Sequence, residues 1–346
     1  MEYIFSTITI IALLGLIVSC CVVFTNAIEH LGKSYNLGDG AVGSILAAIG
    51  TALPETIVPL VAIFGAYFTN SSLEVGNEIG IGAILGSPFL LSTLAMLVTG
   101  LAIIIFTKSK NRKIEIKPNT YLLKRDLRFF LICYTIAVIS TFIPFYELKL
   151  IIGVLLLIIY IIYVFRTLDK CANGACETNL DELMITRLFK TDKFKIYFIW
   201  FQIILSIGFL IIFSHMFVEN IKFISNEIGV SPLIVSLLLA PVATELPEMF
   251  NSVLWVRNSK DTLALSNITG AIVFQSCIPM SIGIFFTDWK FTDEAIVNII
   301  LVYIAVLALY INIIRSKQKL TVKTLLISGF FYIIYIAFII AHIMVH

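Results

Sequence analysis

Glu55 and Glu248 each stand within a long apolar run, and each closes a short motif, GTALPE at 50–55 and ATELPE at 243–248. A carboxylate inside a bilayer costs roughly 2.5–3.5 kcal/mol on insertion scales, so acid placed there in two matching contexts marks a function. The chemistry these residue types suit is cation binding. A proline inside a helix clashes with the carbonyl four residues back and removes a hydrogen bond. Pro54 therefore leaves backbone oxygen free near Ala48 and Gly50, and Pro247 does so near Pro241 and Ala243. Thr51 and Thr244 stand one turn before the glutamates and add hydroxyl or carbonyl oxygen. Such oxygens beside a carboxylate suit a hard cation, which takes about six to eight of them when it is calcium. One motif alone is equally well a kink. Two, each with its glutamate, are a site.

The elements that must hold these motifs are membrane helices. The chain of 346 residues is 59% hydrophobic and 13% charged, where a soluble domain is about a quarter charged. Runs of about 20 apolar residues fit the bilayer core. Ten are read: 4–27, 40–68, 79–106, 127–146, 148–166, 196–217, 231–256, 263–286, 295–315 and 323–345. The first lacks a basic lead and a small-residue cleavage site, so it is read as a retained helix. The 24 Lys and Arg fall outside these spans or at their edges, and all but Lys149, Lys222 and Lys290 fall on one side of the membrane. By the positive-inside rule that side is cytoplasmic, which puts both termini outside. Cys20, Cys21, Cys133 and Cys277 lie in apolar spans and read as small buried residues, while Cys171 and Cys176 lie in a cytoplasmic loop with too few companions for a metal site.

The chain repeats itself. Residues 24–55 align without gaps to 217–248, and IGAILGSPF at 81–89 aligns to LSNITGAIV at 265–273. Each half then holds five spans, and because five is odd the halves enter the membrane in opposite senses. Inverted repeats with a site near the midplane are a common transporter architecture. The organisation read is a first half over 1–166 with its repeat core at about 40–106, a connecting loop over 167–195, and a second half over 196–346 with its repeat core at about 231–286.

GTALPE and ATELPE, followed by spans that open on GAILGS and NITGAI, resemble the two alpha repeats of the calcium/cation antiporter superfamily, in its sodium/calcium exchanger branch. The resemblance covers nearly the whole chain. It implies an all-α integral membrane fold of ten helices in two inverted five-helix repeats, four central cation sites, and alternating access by sliding of two peripheral helices. It also implies a monomer that uses no cofactor and is not an enzyme. By position, Glu55 and Glu248 match the family's central calcium-binding glutamates, Thr51 and Thr244 its threonines, and Ser87 a ligand serine. Ala48 and Pro241 match positions whose backbone carbonyls bind sodium. The chain departs from the pattern where the family has serine at Ala52, Glu245 and Ala271, and Asn or Asp at Leu91 and Gln275.

Glu245 is the informative departure. It precedes Glu248 by three residues, so both can face one side of a helix. Either it replaces the acid missing at Gln275, or it points into a cytoplasmic crevice or is held protonated against a neighbour. With no Lys or Arg inside the spans, three close carboxylates favour retaining a proton when the site holds no metal, and a divalent ion would displace it. The expected function is secondary antiport of Ca²⁺ against Na⁺ or H⁺ in the cell membrane, with no nucleic-acid partner. The alternatives are Mg²⁺ or Mn²⁺ as cargo, a passive cation channel, and a cation-binding homologue that does not transport. His215 reads as an interface histidine or a pH sensor. Glu74, Glu78, Asp288, Asp293 and Glu294 make the outer loops acidic, which is a solvated face or a means of concentrating cations.

Overall fold

Apolar runs punctuated by charged turns fold here as helices, because only a helix satisfies its own backbone polar groups in hydrocarbon without closing a barrel. The computed structural model describes residues 2–34, 47–68, 72–109, 116, 118–171, 183–184, 195–315 and 320–345. The helices are α1 (Glu2–Ser34), α2 (Ala47–Phe68), α3 (Leu73–Leu90), α4 (Met96–Ser109), α5 (Thr120–Ile139) and α6 (Tyr146–Cys171). The second half supplies α7 (Lys195–Ile228), α8 (Pro232–Arg257), α9 (Asp261–Phe286), α10 (Asp293–Arg315) and α11 (Val322–Val345). A π-helical turn, Leu91–Ala95, joins α3 to α4 as one rod. Most of the connecting loop expected at 167–195, Cys176 included, lies outside the described residues.

Eight of these rods are long and apolar enough to cross a membrane, so the chain is a multi-pass membrane protein. The other two expected spans are α2 and α5. The apolar stretch of α2 covers Ala52–Gly65. α5 begins seven residues before the expected span at 127 and brings Lys124, Arg125 and Asp126 into the helix. The helix thus extends beyond the apolar run read from the sequence and carries these charged residues in its first two turns. Arg125 is largely buried, beside a fully buried Asp126.

The turns gather on two faces, which fixes the direction of each rod. On one face Asn119 N–H donates to Thr262 Oγ1 (3.0 Å), and Ile116 bridges to Leu320. On the other, Lys149 Nζ donates to Asp288 O (3.0 Å) and Thr141 Oγ1 to Trp289 O (2.6 Å). α1 runs against α7, since Ser6 meets Asn220 near one end and Gln202 Nε2 meets Val23 O near the other. Matching segments of the two halves thus run in opposite directions, as an inverted repeat requires.

Burial separates centre from periphery. In α9, 67% of the apolar window is buried, against 28% in α7. α1 and α7 pack chiefly on each other, and the pair leans on α2 and α8. The centre is the crossing of α3 and α8. A Cβ on Gly82 would stand 2.4 Å from Leu233 O, and one on Gly86 would stand 2.3 Å from Leu237 O and 2.5 Å from Pro241 Cγ. Glycine four residues apart lets two membrane helices touch backbone to backbone, and dispersion and polar contacts supply the association that lipid does not. Ser236 Oγ adds a bond to Ile79 O (2.7 Å), and Ser231 Oγ one to Glu78 Oε2 (3.3 Å).

The counterpart of Gly86 in the repeat is Gly270, whose added Cβ would meet only Tyr163 Oη at 3.7 Å. Gly86→Ala should therefore lower the melting temperature of the detergent-purified protein by several degrees, the scale of an overpacking cost of about 1–3 kcal/mol. Gly270→Ala should leave it unchanged or raise it, because alanine is the better helix former. Equal shifts for the two variants would contradict the close approach of α3 and α8.

Candidate cation site

Both glutamate motifs lie on helices that run on through their prolines. α2 carries Pro54 and Pro59, and α8 carries Pro241 and Pro247. The repeats bring the two motifs together, and Glu245 joins them. One carboxylate oxygen from each of Glu55, Glu245 and Glu248 lies within 4.8 Å of the other two. All three side chains are buried, with exposures of 3%, 0% and 1%. This settles where Glu245 points: into the cluster, and not into a crevice.

Gln275 reaches the same cluster from α9. Its Nε2 donates to Glu245 Oε1 at 2.8 Å, and Thr244 Oγ1 approaches the same oxygen at 3.3 Å. Ser87 faces Glu245 from α3, directly after the glycine that lets α3 approach α8. Thr244 Oγ1 also lies 3.5 Å from Pro241 O. Ala48 and Thr51 are within α2, but their side chains lie outside the described residues. At the positions where the family pattern has other residues, Ala52 and Leu91 are buried as apolar packing and Ala271 is half-buried.

The electrostatics follow from counting donors. Glu55 Oε1 and Oε2, Glu245 Oε2 and Gln275 Oε1 are buried acceptors with no hydrogen-bond partner among the described residues. A buried acceptor without a partner costs about 1–3 kcal/mol, and more when charged. The described residues around the cluster offer it acceptor oxygen in excess of hydrogen-bond donors. Oxygen ligands in such excess suit a hard cation.

Sequence reasoning passed over Asn267, although it lies inside the quoted NITGAI. Its Nδ2 donates to Glu248 O at 3.1 Å and approaches Ser252 Oγ at 3.4 Å, which ties α9 to the backbone of the central glutamate. It also passed over Asp126, which no motif flags. The half-buried His215 faces α2, since a Cβ on Gly65 would lie 3.8 Å from its Nδ1.

The profile of the sodium/calcium exchanger protein family matches residues 5–168 and 198–341. The chain belongs to that family. The family is one of transporters. The inner membrane protein YrbG of Escherichia coli is 25% identical over 259 residues, which span 74% of this chain and 72% of YrbG. The fold is shared with the H⁺/Ca²⁺ exchanger CAX, at a TM-score of 0.71 and 14% identity over 96% of this chain and 82% of that one. It is shared also with the sodium-calcium exchanger NCX_Mj, at a TM-score of 0.58 and 21% identity over 96% and 98% of the two chains.

Replacing one carboxylate by an amide supplies a donor where acceptors are in excess. Glu245→Gln should therefore raise the melting temperature of the exchanger in the presence of a chelator, and should shrink the stabilisation that added Ca²⁺ gives. Thermal unfolding in detergent, with and without Ca²⁺, reads both. A fall in melting temperature with chelator present would mean that Glu245 is satisfied by its surroundings and serves packing.

Proposed function

We propose that this exchanger is a secondary antiporter that carries Ca²⁺ across the membrane in exchange for a monovalent cation. The observation that carries the reading is the cluster of Glu55, Glu245 and Glu248, buried with more acceptor oxygen than donors. Ca²⁺ is the substrate. Glu55 and Glu248 bind it from α2 and α8, Glu245 and Gln275 complete the charge and oxygen on the α9 side, and Ser87, Thr51 and Thr244 supply hydroxyl oxygen. The carbonyls of Ala48 and Pro241 serve the coupling ion.

Antiport follows from electrostatics. The same carboxylates hold Ca²⁺ or the coupling ions, but not both together. A fully charged cluster without a cation resists passage through the barrier, because bare carboxylates in low dielectric are costly. Reorientation is then confined to loaded forms, which enforces exchange. The chain crosses the membrane ten times as a monomer, its basic face in the cytoplasm and both termini outside. Residues 1–166 and 196–346 are its two functional halves.

Na⁺ is the coupling ion in the first reading. H⁺ is the second, and the presence of Glu245 favours it: a third carboxylate in the cluster can take up a proton when the metal leaves.

The test is uptake of radioactive Ca²⁺ into proteoliposomes at clamped voltage, with outward Na⁺ and outward H⁺ gradients imposed separately. Uptake should follow one of the two gradients and should fall at least a hundredfold in Glu248→Gln. Flux that ignores both gradients would make the chain a channel. No flux of Ca²⁺, Mg²⁺ or Mn²⁺ in wild type would end the transport reading.

A further inference from the structure

Away from the cation cluster, the helices α5, α6 and α9 enclose a second buried carboxylate. Asp126 is 1% exposed. Its Oδ1 accepts from Arg125 Nε (3.0 Å), Arg125 Nη2 (2.8 Å) and the Tyr163 hydroxyl (3.1 Å), and its Oδ2 accepts from Thr269 Oγ1 (2.9 Å). The Arg125 guanidinium also lies over the Tyr163 ring, 5.1 Å from its centroid. Both oxygens are satisfied and the charge is matched, so this is a tie between three helices and not a second cation site. An ionisable group so placed in a membrane helix is a functional candidate by default.

The repeat indicates what the tie does. YIIY recurs at 160–163 and 332–335, and the same offset sets Asn298 at the place of Asp126 and Tyr335 at the place of Tyr163. Thr269 matches Leu85. Around α3, the counterpart of α9, neither Asn298 Oδ1 nor Nδ2 has a hydrogen-bond partner among the described residues, and Leu85 has no hydroxyl to offer. α3 is held instead by backbone contact at Gly82 and Gly86. α9 lacks that contact at Gly270, where an added Cβ meets only the Tyr163 hydroxyl. The two halves thus fix the equivalent helix by different means, close packing for α3 and a polar tie for α9.

Thr269 and Gln275 lie on the same helix, about 9 Å apart along its axis and about 120° apart around it at 3.6 residues per turn. A helix held at Thr269 toward α5 and α6 therefore presents Gln275 on a different side, where it donates to Glu245. We propose that Asp126 is a positioning residue of the cation site: by holding Thr269 it sets the rotation of α9 and keeps the Gln275 amide on Glu245. This rests on the reading of Glu55, Glu245 and Glu248 as the cation site.

The test is a double-mutant cycle on Ca²⁺ binding to the purified, full-length protein, measured by calorimetry. Thr269→Val and Asp126→Asn should each weaken Ca²⁺ binding roughly tenfold, the size of one hydrogen bond to a charged group. Thr269→Ser, which keeps the hydroxyl, should bind as wild type does. In a Gln275→Ala background, Thr269→Val should have no further effect, because the contact it protects is already gone. Equal weakening in both backgrounds would overturn the proposal and leave Asp126 a packing residue, as would unchanged binding in folded Thr269→Val. If Asp126→Asn fails to fold, Thr269→Val and Tyr163→Phe carry the cycle with the ion pair intact. A second readout needs no ion: spin labels at the exposed Ile132 of α5 and Leu263 of α9 should give a narrow distance distribution that broadens in Thr269→Val. If wild type binds no divalent cation, the site reading fails while this distance still decides the tie, and an unchanged width would overturn it.

Discussion

Three carboxylates buried within 4.8 Å of one another, with acceptor oxygens that no donor among the described residues satisfies, are the constraint around which the bundle is built. Such a cluster opposes folding by charge repulsion and lost hydration, so the surrounding helices must be held firmly by other means. The backbone contact of α3 with α8 does this from one side. It leaves no room for a side chain at Gly82 or Gly86, and it sets Ser87 beside Glu245. Asn267 does it from another, by bonding the carbonyl of Glu248 itself. In the proposed function, a cation supplies the attraction that the described residues leave unmet.

The duplicated sequence does not give a symmetric site. The central glutamates Glu55 and Glu248 are equivalent, and so are Thr51 and Thr244. Glu245 has only Ala52 for a counterpart, and Gln275 has Leu91, so the added acid and its amide partner both come from the second half. They meet each other at 2.8 Å. Thr269 of the same half takes the tie from Asp126 on α5, while the matching place in the first half is an apolar Leu85, and Asn298, the counterpart of Asp126, has no partner among the described residues. Polar chemistry is therefore concentrated on the α8–α9 side and close packing on the α3 side.

The periphery obeys a different rule. α1 and α7 bury little of their surface and depend mostly on each other, with Gln202 bonded to Val23 O and Asn26 Oδ1 across their interface. The pair is held together by its own polar contacts and laid against the core along α2 and α8. The core is tied instead by glycine contact and by an ion pair.

Much of this was legible in the chain. Apolar run length fixes helices where lipid offers no hydrogen bonds, and a repeat with an odd number of spans fixes inversion. Two LPE motifs in matching contexts fix a carboxylate pair at the centre. Sequence also marked Glu245 as a departure and left its direction open, because a residue three positions before Glu248 can face the cluster or the space beside it. Only the packing of α8 against α3 and α9 decided that, by putting Gln275 within reach. Asp126 was invisible for a related reason. Beside Arg125 it reads as the charged edge of a span, and its burial depends on Tyr163 and Thr269, which stand 37 and 143 residues away. Local composition determines which segments enter the membrane. Which polar groups meet there is set by how the helices are turned against one another, and that is decided by tertiary contacts.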